Sequence, residues 1–395
     1  MEVPELERKI GIFTYKSRSP GIGGKIKLKA SDFVVEEITP SGIILEIGKS
    51  SFPAEQLNQT VEKEFLHATL EKKNWNTILA IRELAKKLGI SRKRISFAGT
   101  KDKKAITSQR ISIKGVKIED LEKVGIKDIK LRDFSYEDKP IRLGDLYGNR
   151  FKIIIREISL DEKEILARIE AILSELRGEF PNFYGIQRFG SRRPITHLVG
   201  KEILKGNFKK AIELYLCEIF PEESEEAKEA RRNLSESWDI KRALKEFPKY
   251  LSYENAILNH LLKNENDYVG ALRRLPLSLR KMFVHAYQSY VFNKALSFYI
   301  DSGIYVEKLP LPGYKIKLDE VTEEILQEEG IEKTSFKVQK LKEISSKGEY
   351  RNCFSEFRNF SFKVKDNQVE LNFILEKSCY ATSLIREFSK GKYWL

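Results

Sequence analysis

A change of pattern along the 395-residue chain most constrains its fold. Strand-like runs occupy both ends, while residues 198–300 read almost wholly as helix. A mixed start, a helical middle and a strand-forming end predict one sheet domain interrupted by an insertion. The length points the same way, being too great for one ordinary domain. The expected class is α+β, a mixed sheet with a mostly helical insertion, because the first half lacks regular βαβ spacing. The expected boundaries are a sheet domain over 1–189 and 351–395, with the insertion over 190–350.

Residues 26–48 read as strands broken by a Pro-Ser-Gly turn. NTILAIRELAKKL, Asn76 to Leu88, places Ile78, Ile81, Leu84, Ala85 and Leu88 on one helical face, with Gly89 behind it as a C-cap. ISFAGTKD, QRISIKG and NRFKIIIREI read as strands, and Asp161 to Arg177 as an amphipathic helix. In the middle, PEESEEAKEARR reads as a solvated charge run, and RKMFVHAYQSYVFNKALSFYI as an apolar helix spanning a core. Strand signals return at FKVKDNQVELNFILEK and continue into CYATSLIREF.

The 71 Lys and Arg outnumber the 58 Asp and Glu, leaving a net charge of +13 that predicts a polyanionic partner. A membrane is disfavoured, because no run approaches the roughly 18–20 apolar residues of a spanning helix. The start, MEVPELERKIGIF, lacks a signal pattern, and Cys217, Cys353 and Cys379 lie far apart. These features predict a soluble, cytoplasmic protein without a disulfide framework or a cysteine zinc site. His67, His197, His260 and His285 stand singly, so no metal is expected, and SPGIGGKI lacks the frame of a P-loop.

Charge concentrates between Lys86 and Lys117, where eleven bases surround a single acid, Asp102. Such a stretch can track a phosphate backbone or form a lysine-rich solvated surface. Neighbouring cations favour the ionised form of Asp102, and the preceding Ala-Gly-Thr turn admits close approach. An ionised Asp on a tight turn suits a nucleophile or base acting on a nucleotide, or a structural turn cap.

AGTKDKKAITSQRISI resembles the signature of the tRNA pseudouridine synthase D (TruD) family. IKLKASDFVVEEI, KNWNT, LGDLYGNRFKI, PNFYGIQRFG, AYQSYVFN and SCYATSLIREF are further family-like blocks, in order from about residue 25 to 388. The resemblance implies an isomerase that converts uridine to pseudouridine in tRNA without metal or organic cofactor, most often at position 13. Asp102 would be its essential residue, attacking the ribose anomeric carbon or removing a sugar proton to give a glycal. RNA would be clamped in a cleft between the two domains.

The target base must leave its stack, and aromatic rings can recover that cost. Phe33, Tyr184 and Tyr380 are the candidates, with core packing the alternative for each; Tyr380 stands where many relatives carry Phe. Asn182 would read the uracil edge or form a turn, and Lys27 would lie near Asp102. Lys101 is a further expected substrate contact. Gln187, Arg188 and Arg386 could bind phosphate but are expected instead to brace the site, and Thr107 and Gln109 to orient the Asp102 turn. The expected partner is tRNA, bound by a monomer with no obligate protein partner. The alternative function is a non-catalytic RNA-binding or RNA-folding protein using the same basic groove.

Overall fold

In the computed structural model, residues 2–57 and 62–391 are described. The chain divides into two compact units, one of residues 17–180 and 355–395, the other of residues 1–16 and 181–354.

The first unit is built on a mixed sheet. Its strands are β1 (Phe33–Ile38), β2 (Phe65–Lys73), β3 (Ile95–Phe97), β4 (Ile106–Lys114), β5 (Ile129–Glu137), β6 (Gly148–Ile155), β7 (Arg358–Lys365) and β8 (Gln368–Glu376). Their order is β7-β8-β6-β1-β4-β2-β5, with β3 beside β4. β1 and β4 run parallel, while β8 pairs antiparallel with β6 over Val369↔Ile155 to Glu376↔Gly148. The strands from the two ends of the sequence therefore share one sheet.

The three longest helices of this unit are α1 (Thr77–Lys87), α2 (Glu162–Leu176) and α3 (Ala381–Ser389). Asn76 caps α1 by accepting from Ile78 N at 2.8 Å, and Gly89 follows at φ +65°, the left-handed value that ends a helix. Asp161 caps α2 by accepting from Glu164 N at 2.8 Å. Ile165, Ile169, Ile172 and Leu176 of α2 are fully buried with Phe33, Ile153, Phe373 and Phe388. Each such side chain contributes about 1.5–3 kcal/mol of transfer free energy. A second cluster packs Ile81, Leu84 and Ala85 of α1 on Leu66, Leu70, Ile111 and Ile113.

Two strand expectations are corrected. CYATSLIREF does not continue the sheet: Ala381, Leu384, Ile385 and Phe388 recur at helical spacing, and α3 forms with all four buried. Within 26–48 the strand is confined to Phe33–Ile38. Before it, Asp32 accepts from Lys29 N and forms a short turn, and after it Gly42 turns at φ +85°.

The second unit is mostly helical. Its longest helix, Leu277–Asp301, buries Phe283, Tyr287, Val291, Phe292 and Leu296, as its apolar sequence predicts. Gln288 and Asn293 on that helix brace neighbouring backbone: Gln288 donates to Pro312 O at 2.6 Å, and Asn293 donates to Ile10 O at 2.9 Å. The charge run is only partly solvated. It lies mainly in helix Glu225–Ser237, where Arg231 is fully buried between Glu223 and Glu254, both at 2.8 Å. Among the described residues no helix is long and apolar enough to cross a membrane.

Candidate active site

On the helix-covered face of the sheet, the inward positions turn polar between the two apolar clusters. Phe33 and Val35 of β1 are followed on that side by Glu37, and Leu66, Ala68 and Leu70 of β2 by Lys72. In β4, Ile113 and Ile111 give way to Gln109 and Thr107. Of these, Glu37, Lys72 and Gln109 hold the turn that carries Asp102.

Buried contacts fix the turn from several sides. Gln109 Nε2 donates to Gly99 O at 2.8 Å. Thr77 joins it, donating to Gln109 Oε1 at 3.1 Å and accepting from Lys101 N at 3.0 Å. Lys101 points inward, its Nζ 2.5 Å from Glu37 Oε2, with only 5% and 1% of the two side chains exposed. Lys72 Nζ donates to Asp102 O at 2.8 Å and Trp75 O at 2.7 Å. Thr107 Oγ1 is buried without a hydrogen-bond partner, so it makes no such bond to the turn.

The Asp102 side chain is left partly open, at 38% exposure, and its Oδ1 accepts from Lys27 Nζ at 3.0 Å. Lys27 holds an unusual backbone for a lysine, φ +57°, which costs about 1–2 kcal/mol. Strain of this kind collects at functional sites. The same ammonium sits 4.0 Å from the centroid of the Phe33 ring, which is 2% exposed and meets Phe151 edge-on at 6.3 Å. Lys27 and Phe33, six residues apart in one segment, are thus brought together with Asp102 from another.

The remaining expected residues are placed as follows. Tyr380 stands half-buried at the start of α3, and Arg386 is buried within that helix beside Glu387 at 3.1 Å. In the helical unit, Asn182 accepts from Arg351 Nη2 at 2.6 Å and donates to Asn352 O at 3.1 Å. Tyr184 is buried, with the Arg351 guanidinium 4.1 Å from its ring centroid and Phe292 edge-on. Arg188 donates to Ser289 Oγ at 3.1 Å, a bracing contact, while Gln187 is exposed.

The basic stretch splits by role. Besides Lys101, Arg110 is buried on the opposite sheet face, donating to Ser135 Oγ at 2.7 Å, and burial lowers its pKa to about 10. Arg94 donates to Lys114 O and Gly115 O. Lys86, Lys87, Arg92, Lys93, Lys103 and Lys104 are exposed. That opposite face also carries a cavity of about 520 Å³ lined by Phe52, His67, Arg110 and Glu137; Asp102, Lys27 and Phe33 do not line it.

Sequence reasoning missed Lys72, Glu37 and Thr77. The alternation that buries Leu66, Ala68 and Leu70 also turns Lys72 inward, so the period-two pattern of β2 carried the signal. A lysine on the buried side of a strand needs acceptors, and two of its three lie on the turn.

Comparison with known proteins agrees with this architecture. The family model described as tRNA pseudouridine synthase D (TruD) matches residues 9–309 and 300–388. A Methanocaldococcus jannaschii protein named "Probable tRNA pseudouridine synthase D 1" is 40% identical, over 94% of this chain and 96% of that relative. An Archaeoglobus fulgidus protein named "Probable tRNA pseudouridine synthase D" is 38% identical, over 98% and 99%. The crystal structure of a Methanosarcina mazei protein assigned as tRNA pseudouridine synthase D superposes with a TM-score of 0.81 at 37% identity, covering 99% of both chains. With the family model spanning nearly the whole sequence and relatives matching end to end, the chain belongs to the tRNA pseudouridine synthase D family.

Proposed function

We propose that this chain is a tRNA pseudouridine synthase whose reacting group is Asp102. The carrying observation is the half-open carboxylate held by Lys27 on a turn fixed from below. Attack on the anomeric carbon and removal of a sugar proton both require an ionised carboxylate with an accessible oxygen. Lys27 engages Oδ1 at 3.0 Å. Detached uracil would then rotate and rejoin the sugar through carbon-5. We assign the uridine at position 13 as the target and a cytoplasmic monomer, working without metal or organic cofactor, as the acting form. Asn182 and Tyr380 are assigned to uridine recognition on the family resemblance.

Because the Lys27 ammonium lies over the Phe33 ring, we assign Phe33 first to seating Lys27 by cation–π attraction. Stacking on the flipped base would require that ammonium to move.

The test is pseudouridine mapping on unmodified tRNA with the wild-type protein and Asp102→Asn. Pseudouridine at one uridine, absent with the variant, is the expected result. Tight tRNA binding with no modification by the wild type would turn the reading to an RNA-binding protein.

A further inference from the structure

Lys72 is a lysine where a strand should bury an apolar side chain. It is 1% exposed, and its ammonium meets three backbone carbonyls: Trp75 O at 2.7 Å, Asp102 O at 2.8 Å and Lys101 O at 3.5 Å. An ammonium has three N–H donors, so this set satisfies it. A buried cation is costly unless fully hydrogen-bonded, and an apolar residue would fill the position without that cost. The position is therefore explained by its partners, two of which are the carbonyls of Lys101 and Asp102 themselves.

We propose that Lys72 is a positioning residue for the reaction, its ammonium holding the 101–102 backbone from beneath and thereby setting where the Asp102 carboxylate stands. This rests on the reading of Asp102 as the reacting group. Gln109 and Thr77 fix the turn at Gly99 and Lys101, one to three residues before the reacting side chain, whereas Lys72 binds the peptide of Asp102 directly. Displacing a reacting atom by about 1 Å can cost a hundredfold in rate.

Charge matters to this role. Burial lowers the Lys72 pKa to about 8, with Asp102 opposing the shift and Lys101 adding to it. Those two are the charged groups that act on it from the turn; Lys101 is itself paired with Glu37, and Asp102 with Lys27. Thr77 on α1 and Thr107 on β4 are neutral. As pH rises through about 8 the ammonium loses its charge and one donor, so the turn loosens.

The experiment compares full-length wild type, Lys72→Met, Lys72→Arg and Asp102→Asn in single-turnover pseudouridine formation at saturating tRNA. It is run below each variant's unfolding temperature, with tRNA Kd measured in parallel. Lys72→Met is expected to slow the chemical step by about 10- to 100-fold with Kd within about twofold, and Lys72→Arg to recover most of the rate. A wild-type rate in folded Lys72→Met, or a rate loss matched by an equal loss of affinity, overturns the proposal. Active Asp102→Asn would instead sink the reading on which it rests. Should Lys72→Met fail to fold, the pH profile decides. The wild-type rate should fall with a midpoint near 8, and that midpoint should move upward in Lys72→Arg. A flat wild-type profile from about pH 7 to 9, or an unmoved midpoint in Lys72→Arg, overturns it.

Discussion

The Lys101–Glu37 pair separates two roles for the lysine that precedes Asp102. Its side chains are 5% and 1% exposed and 2.5 Å apart, and Glu37 Oε1 also accepts from Arg110 N at 2.9 Å. Removing one partner from a buried pair leaves an uncompensated charge and costs about 3–5 kcal/mol. For a unit of about 150–250 residues, each kcal/mol shifts Tm by roughly 2–4 °C, so Lys101→Met should lower Tm by about 6–20 °C. Glu37→Gln keeps an oxygen for Arg110 N and should cost less. The double variant should be more stable than the sum of the single losses, because neither charge is then stranded. Calorimetry of the four proteins measures this coupling, and filter binding across salt measures the other role. A lysine that contacts phosphate would lower tRNA affinity and reduce the salt slope by about one when replaced. Additive Tm losses, or a salt slope reduced by one in Lys101→Met with Tm unchanged, would refute the structural role argued from burial.

Two further outcomes follow from single side chains. Lys27→Met should cut the rate of pseudouridine formation by at least about tenfold while tRNA affinity changes little. One cation among many is lost from binding, but the ammonium held by Asp102 Oδ1 is lost from the site; equal losses in both would place Lys27 in RNA binding. His197, buried between Phe189 and Tyr290, has its pKa lowered to about 4 by burial. The unfolded chain therefore binds a proton that the folded one does not between about pH 6.5 and 4, and stability falls by an amount on the order of 3 kcal/mol as pH drops through that window. Tm measured from about pH 7 to 4.5 should fall more steeply for wild type than for His197→Phe, and parallel curves would remove His197 from the acid response.

Residues close in sequence were legible, and residues brought together across the sheet were not. The caps Asn76 and Asp161, the buried stripe of α2 and the Asp102 turn each declare themselves within a few residues. Lys101 shows the same limit: its base-rich neighbours suggest a surface, while its partner Glu37 lies 64 residues away on β1. Phe33 is the sharpest case, because its block resembles a substrate contact while its ring is 2% exposed beneath an ammonium. Phe33→Leu keeps apolar volume but removes the π face, which is worth about 0.5–2 kcal/mol to a seated cation, or roughly two- to thirtyfold. If Phe33 seats Lys27, Phe33→Leu should slow the chemical step by that factor and add little to the defect of Lys27→Met, because both variants break one contact. If Phe33 instead stacks on the uracil, the two defects should multiply. Single-turnover rates of the two single variants and the double variant distinguish these outcomes, and multiplicative losses would refute the seating role.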